Sequence, residues 1–151
     1  MKNYTIFIFS LIFLCYACPS NSSTPKTESE NTMKSLNGTW NLLSIQTGEV
    51  KEENPYDSER GVLLTFEDGE SEGKITGKDV CGNRVMGDYK LMDNQKIEVT
   101  RFGGTKRGCD GWGAKFWTMI RAARSFEVNE KTLKIYFESK ENVLTFVKLT
   151  K

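Results

Sequence analysis

The sequence predicts a mainly β domain, an antiparallel barrel or sandwich with one packed α-helix. Two observations carry this prediction. Short apolar segments of strand character recur at roughly 8–12-residue spacing with turn residues between them. One segment near the middle of the second half has instead the spacing of a helix. The chain of 151 residues has the length of one domain and is long enough to bury a core.

The strand candidates follow one another from the middle of the chain to its end. They are residues 39–45, 61–66, 74–77, 85–92, 96–102, 132–138 and 143–148. Between them lie turn signals such as Glu67-Asp68-Gly69 and Asp93-Asn94. The charged segment 49–59, which contains Pro55, is predicted to be a loop.

The helix candidate is residues 114–124, which contain neither Gly nor Pro. Its stripe recurs at i, i+1, i+4, i+7 and i+8 and consists of Phe116, Trp117, Ile120, Ala123 and Arg124. We interpret this stripe as core rather than as a ligand site. The helix is expected to pack against one end of the β structure.

Composition excludes several classes of function. The 21 basic and 20 acidic residues nearly cancel, so the sequence predicts no nucleic-acid partner. The chain has no histidine, which excludes Ser-His-Asp and Cys-His catalysis and histidine-ligated zinc. An enzyme would depend on carboxylates, Lys, Tyr or Cys, and no spacing singles out a carboxylate pair. We therefore predict no catalytic residues.

The first eighteen residues have the features of a targeting segment. Lys2 precedes an apolar run over 4–17 that is too short to span a ~30 Å hydrocarbon core. Ala17 followed by Cys18 resembles a bacterial lipobox, so we predict a signal peptide over 1–17 and a diacylglycerol on Cys18. The alternatives are a plain secretory signal and an uncleaved membrane anchor.

Residues 18–35 are predicted to be the lipidated cysteine and a flexible polar tether. Ser, Thr, Asn and Pro dominate the segment after Cys18, which cannot bury enough surface to offset its ordering entropy. As a coil it would hold the domain roughly 20–25 Å from the lipid. Pro19 and Ser20 carry no acidic inner-membrane retention mark, which favours the outer membrane, facing the periplasm.

Cys81 and Cys109 remain once the leader is removed and Cys18 is lipidated. An even pair of cysteines in an exported domain predicts a disulfide, which would close a loop of ~29 residues. Two buried free thiols are the alternative. No metal is predicted, because two thiolates without histidine leave half of a zinc shell empty.

Several segments around this pair resemble the META domain family, whose bacterial members are HslJ-like lipoproteins. They are the opening Leu36-Asn37-Gly38-Thr39-Trp40-Asn41-Leu42, Cys81 with Asn83-Arg84-Val85-Met86-Gly87-Asp88-Tyr89, Thr105-Lys106-Arg107-Gly108-Cys109, the helix at 116–120, and Leu144-Thr145-Phe146. The resemblance implies that residues 36–151 form a small antiparallel lipocalin-like β-barrel with one packed α-helix. It also implies neither catalytic residues nor a cofactor. Gly82 is inserted between Cys81 and Asn83, which leaves the local turn and the pairing of Cys81 open.

The anchor, the tether and the resemblance together predict a monomeric, non-catalytic envelope lipoprotein that binds a protein partner or acts in envelope stress or antibiotic tolerance. The alternative is a lipocalin-like carrier of a small apolar ligand, although the many aromatic residues favour a filled core.

Candidate partner contacts are Lys106, Arg107 and Trp112. The first two belong to a basic cluster with Arg101, Arg121 and Arg124. We interpret this cluster as a solvated face, and the alternatives are a surface for anionic lipid headgroups or for an acidic partner. Trp112 is either exposed or caps the barrel.

Overall fold

The computed structural model describes residues 34–57, 59–105, 107–109 and 111–150. The predicted signal peptide, Cys18 and Lys106 lie outside the described residues, and so does the predicted tether up to residue 33. The described part contains nine strands and one helix. They are β1 (Gly38–Thr47), β2 (Val50–Glu53), β3 (Leu63–Glu67), β4 (Gly73–Lys78), β5 (Arg84–Met92), β6 (Lys96–Gly104), α1 (Trp112–Arg121), β7 (Ala123–Val128), β8 (Thr132–Phe137) and β9 (Val143–Lys148).

The strands form a closed antiparallel barrel. The sheet order is β2-β1-β3-β4-β5-β6-β7-β8-β9, and a further pairing of β1 with β9 closes eight of the strands into a ring. The ninth, β2, folds back as a hairpin on the second half of β1, while β3 pairs with the first half. The structure thus confirms the predicted small barrel with one helix and excludes the sandwich.

Helix α1 packs beside the least extensive strand pairing of the barrel, that between β6 and β7. Strands β6 and β7 are paired only through Lys96 and Ser125, and α1 lies in the connection between these two strands. The ring of Phe102 on β6 contacts Phe116 and Trp117 of the helix at centroid distances of 6.0 and 5.0 Å. The helix therefore packs against the barrel where the two strands diverge.

The interior of the barrel is filled with side chains. Fully buried residues come from both the strands and the helix; among the largest are Trp40, Phe66, Tyr89, Phe116, Phe126 and Phe146. The rings of Phe66 and Tyr89 meet edge to face at 5.4 Å, a favoured arrangement for aromatic pairs. An eight-stranded barrel is just wide enough for its own side chains to fill it, as happens here.

Two sequence predictions about elements were wrong. Val50–Glu53, predicted as loop, forms β2, because the second half of β1 leaves an edge free and an exposed edge strand tolerates charged residues. The helix ends at Arg121, and Ala123 and Arg124 belong to β7. The predicted stripe ran past the end of the helix because Ala123, which is buried on β7, follows buried Ile120 by three residues, the spacing of a helical face.

The alternating strand directions divide the connections between two ends of the barrel. The described chain enters at the end that carries the β3–β4, β5–β6 and β7–β8 turns. There Leu36 is fully buried; its N–H donates to Asp68, and its carbonyl accepts from the indole of Trp40 at 2.9 Å. Helix α1 and the β4–β5 loop lie at the opposite end. Within the described part of the chain, no helix is long and apolar enough to cross a membrane.

Candidate binding site

A disulfide joins the β4–β5 loop to the segment that leads into α1. Cys81 and Cys109 are bonded, with their Cα atoms 5.7 Å apart. The inserted Gly82 takes a φ of 73°, a left-handed conformation that glycine adopts without steric cost, and its N–H donates to the carbonyl of Asp79. The loop absorbs the extra residue in this turn, so the insertion does not disturb the pairing.

The carboxylate of Asp79 organises this end of the barrel. Asp79 is 1% exposed, and its Oδ1 accepts the backbone N–H groups of Cys81 and Asn83 at 2.9 and 2.8 Å. Its Oδ2 accepts the side-chain amide of Asn83 and the indole Nε1–H of Trp117, both at 2.8 Å. Four donors therefore satisfy a carboxylate that is removed from water, as burial of a charge requires.

Asn83 in turn fixes the backbone of Arg107. The Oδ1 of Asn83 accepts the N–H of Arg107 at 2.6 Å, and its Nδ2 donates to the carbonyl of Arg107 at 3.2 Å. Thr105 supports the same arrangement, because its hydroxyl accepts the N–H of Arg84 at 2.9 Å and bonds to Asn83. The side-chain amide of Asn83 thus bonds to both the N–H and the carbonyl of Arg107 and fixes the backbone of this residue.

Trp117 positions a second arginine. The guanidinium carbon of Arg121 lies 5.6 Å from the centroid of the indole, within the range of a cation–π interaction. One nitrogen of the same guanidinium donates to the carbonyl of Phe102 at 3.4 Å. The ring of Phe102 packs on Trp117, so the platform under Arg121 is part of the contact between helix and barrel.

These residues surround an open groove of about 370 Å³. Its lining consists of Asn83, Gly103, Gly104, Thr105, Arg107, Cys109, Ala114, Trp117 and Arg121. Neither Arg107 nor Arg121 forms an ion pair with a carboxylate of the described residues. The groove therefore presents two guanidinium groups that are free to bind an anion.

The three predicted contact residues, Lys106, Arg107 and Trp112, do not lie in one site of the described structure. Arg107 lines the groove, whereas Lys106 lies outside the described residues. Trp112 is only 8% exposed and its ring lies 6.4 Å from that of Tyr56, so it caps this end of the barrel, as one of the two interpretations had it. Its indole N–H has no hydrogen-bond partner among the described residues.

The predicted basic cluster is not a single patch. Arg121 joins Arg107 at the groove, but Arg101 pairs with Asp88 at 2.7 Å on the outer face of the sheet. Arg124 lies on β7 and lines a different surface groove together with Lys140. The closure of the barrel, rather than proximity in sequence, selects the two arginines that share a site.

Sequence reasoning missed Asp79 and interpreted Trp117 only as core. A signal for Asp79 was present: an aspartate precedes Cys81 by two residues and Asn83 by four, and such a side chain readily accepts backbone N–H groups just ahead of it in a turn. Its contact with Trp117, 38 residues further along the chain, had no local signal.

Asp79, Cys81 and Cys109 bring three potential metal ligands within 4.8 Å of one another. They do not fit a metal, because the two sulfurs are bonded to each other rather than available as thiolates, and the oxygens of Asp79 are occupied by four donors. The cluster is structural.

The fold and the groove define a class of protein, a filled antiparallel β-barrel with a groove that two arginines line beside the one helix of the described residues. The chain belongs to the META domain family, whose model matches residues 32–150. A solved structure of a DUF4847 family protein from Bacteroides vulgatus ATCC 8482 is similar in fold, with a TM-score of 0.55 and 15% sequence identity over 76% of this chain and 94% of that one. No curated protein gives a significant match.

Proposed function

We propose that the protein is a non-catalytic binding protein of the bacterial envelope, anchored to the outer membrane through acyl chains on Cys18. The observation that carries this proposal is the groove that holds Arg107 and Arg121, at the end of the barrel opposite to the entry of the chain. Two positioned cations without acidic partners among the described residues suit the capture of a ligand rather than the stabilisation of the fold.

The polar groups of the groove support binding rather than catalysis. The carboxylate of Asp79 is buried and fully engaged, and the amide of Asn83 is engaged with Asp79 and Arg107. A general acid or base must exchange a proton with the substrate, and a nucleophile must reach it. Neither Asp79 nor Asn83 is free to do so.

The position of the groove favours a protein partner over lipid headgroups. The chain enters beside Leu36, and β6, with nine residues, runs between the two ends of the barrel. At about 3.3 Å per residue, a tilted strand of this length separates the ends by roughly 20–30 Å. A tether attached beside Leu36 would leave the groove accessible from the periplasm.

The filled interior gives no support to a lipocalin-like carrier, because binding inside the barrel would require residues such as Phe66 and Tyr89 to move out. A role in envelope stress or antibiotic tolerance is the cellular setting that we propose for the binding activity. A deletion strain that lost tolerance and regained it with the wild-type gene, but not with an Arg107→Glu/Arg121→Glu gene, would support that setting.

Site-specific photo-crosslinking in the native envelope tests the binding function. A benzophenone residue replaces Ala114, which is exposed and lines the groove, in the full-length chain. The control position is Glu130, which is exposed at the opposite end of the barrel. We expect a discrete protein adduct from position 114 that is absent from position 130 and lost in Arg107→Glu/Arg121→Glu. Identical adducts from both positions, or none from position 114, would contradict the proposal.

The membrane anchor has its own test. Cys18→Ser removes the thiol that would carry the lipid, so the full-length protein should no longer incorporate radiolabelled palmitate, whereas the wild type should. Cys15→Ser is the matched control, because Cys15 lies in the same apolar segment but is preceded by bulky Leu14. Equal labelling of Cys18→Ser and the wild type, or no labelling of the wild type, would contradict lipidation at Cys18.

A further inference from the structure

We infer that the groove recognises carboxylates, and that its occupant is an acidic segment of a partner protein. The inference deepens the proposed binding function and rests on it. It assigns to Arg107 and Arg121 the direct contacts with the ligand, and to Asp79, Asn83 and Trp117 the positioning of these two arginines.

The chemistry of the two cations selects the ligand. A guanidinium group is planar and offers a fork of N–H donors that matches the two oxygens of a carboxylate. Arg121 uses one nitrogen for the carbonyl of Phe102 and rests on the ring of Trp117, and the side chain of Arg107 has no hydrogen-bond partner among the described residues. Each therefore retains unused donors.

The backbone of Arg107 and the guanidinium of Arg121 are held in place before any ligand arrives. The carboxylate of Asp79 bonds to Asn83 and to Trp117, and these two residues hold Arg107 and Arg121 respectively. The buried carboxylate of Asp79 thus supports both residues that contact the arginines, Asn83 and Trp117. For Arg121, such preorganisation reduces the side-chain entropy that an exposed ion pair would otherwise lose on binding.

The charge of the surroundings agrees with an anionic ligand. Asp79 is not among the residues that line the groove, and its carboxylate oxygens are occupied by four donors. Among the described residues the lining contains two arginines and no acidic side chain, and a cationic surface of this kind attracts acidic segments.

The shape of the surface favours a peptide over a small anion. Gly103 and Gly104 form part of the wall, and a Cβ added to Gly103 would meet nothing within 4 Å, so a backbone can approach closely there. The same residues border a second, larger groove of about 820 Å³ on the outer face of β4, β5 and β6. Met86, which is 57% exposed, lines this second groove and offers an apolar contact beside the cationic one.

The test measures binding of defined peptides to the full-length lipoprotein in detergent. A fluorescein-labelled peptide of six glutamates with an amidated C-terminus is compared with the same peptide made of six glutamines, by fluorescence anisotropy. We expect saturable binding of the glutamate peptide only, weakening as salt rises because the contacts are charged. Equal binding of the two peptides would overturn the inference.

Substitutions of the groove arginines test whether the glutamate peptide binds in the groove. Arg107→Gln and Arg121→Gln should each weaken binding about tenfold or more, as expected for hydrogen bonds between charged groups. Arg124→Gln removes the same charge from an exposed position on another surface and should leave binding within about twofold. Arg121→Lys keeps the charge but loses the fork, so it should bind between the wild type and Arg121→Gln. Unchanged binding in both groove variants would refute the assignment.

Two further arms identify the source of the anion. Inorganic phosphate and vesicles of phosphatidylglycerol are tested as competitors of the glutamate peptide. If phosphate at equal concentration displaces the peptide completely, or if the vesicles bind through Arg107 and Arg121 while the peptide does not, the acidic-segment inference is wrong. Weak competition by both supports it.

Failure of this inference is distinguishable from failure of the proposed function. A groove-specific protein adduct from position 114 together with no binding of the glutamate peptide would leave the binding function standing and remove the carboxylate assignment. Peptide binding that depends on Arg107 and Arg121, without any adduct from position 114 in the envelope, would retain the chemistry of the groove and remove the cellular function.

Discussion

The indole Nε1 of Trp117 donates a 2.8 Å hydrogen bond to Oδ2 of Asp79, and this contact joins α1 to the loop between β4 and β5. The helix fills the connection between two strands that barely pair, so it depends on contacts of this kind to hold its place. Together with the Cys81–Cys109 disulfide, the bond ties the helix to the opposite side of the groove. The stability of this end of the barrel and the geometry of the groove are therefore coupled.

Replacement of Asp79 by asparagine should destabilise the protein by about 3 kcal/mol or more. The amide of an asparagine cannot accept hydrogen bonds through its nitrogen, so two of the four donors that now point at the carboxylate lose their acceptor, and each buried unpaired donor costs about 1–3 kcal/mol. Urea denaturation measures the free energy of unfolding.

Trp117→Phe is the companion variant, because it removes only one of the four donors and keeps most of the ring. It should cost less than Asp79→Asn, and the double variant should cost less than the sum of the two single ones, since they share a hydrogen bond. A free energy of unfolding for Asp79→Asn within 0.5 kcal/mol of the wild type, roughly the range of ordinary surface substitutions, would contradict this account.

Loss of the Cys81–Cys109 disulfide should destabilise the protein by up to about 3.6 kcal/mol, the chain-entropy value for a closed loop of this size. The comparison is between oxidised wild type and Cys81→Ala/Cys109→Ala in urea denaturation, with thiol titration of the unfolded, unreduced wild type as a check of the bond. Reaction of both thiols in that titration would show that the bond is absent.

Gly113→Ala should destabilise the protein although alanine is the better helix former. A Cβ at this position would lie 2.5 Å from Sγ of Cys109 and 2.7 Å from a methyl of Val80, so the helix and the disulfide would have to separate. We expect a loss of about 1–3 kcal/mol, as for other overpacked sites. Thermal unfolding provides the measurement.

The matched control for this substitution is Gly108→Ala. Gly108 lies in the same connection, and a Cβ there would meet nothing within 4 Å, so its replacement should leave the melting temperature nearly unchanged. Equal melting temperatures for the Gly113 and Gly108 variants would show that the close contact does not constrain the helix.

Tyr89→Phe should change how stability depends on alkaline pH. The pKa of Tyr89 is raised far above its ordinary value of about 10. Burial is the largest cause, and the hydrogen bond to Asp68 is the second. The folded state therefore keeps a proton that the unfolded state releases, so this contribution to stability is complete below pH ~10 and is lost progressively as the pH rises above it.

The expected result is a shallower fall of stability between pH 10 and 12, approximately, for Tyr89→Phe than for the wild type. At pH 7 the variant should also be less stable by about 1–2 kcal/mol, because Asp68 loses a donor. Tyr56→Phe serves as the control, because it removes the same hydroxyl group from a tyrosine that is 38% exposed to water. Parallel pH curves for the wild type and Tyr89→Phe would contradict the assignment.

Much of the fold could be predicted from the sequence because the spacing of apolar residues within each element reflects which of its faces is buried. In β5 and β8 the alternation of apolar side chains, such as Val85 with Tyr89 and Leu133 with Ile135, marks the inward face. The prediction failed where another strand supplied the context. Strand β2 depends on the free edge of β1, and buried Ala123 of β7 follows Ile120 at a helical spacing although α1 has already ended at Arg121.

The sequence by itself determined that the chain folds as a β-rich domain with one helix, and it nominated Cys81, Cys109 and Arg107 as residues of interest. Only the tertiary structure decided that Asp79 links Trp117 to Asn83, that Trp112 is covered, and that Arg121 rather than Arg101 shares a groove with Arg107. The physical reason is that burial acts on each residue and leaves a local periodic trace. The meeting of a loop with a helix depends instead on the closure of the barrel between distant residues, and no local pattern encodes it.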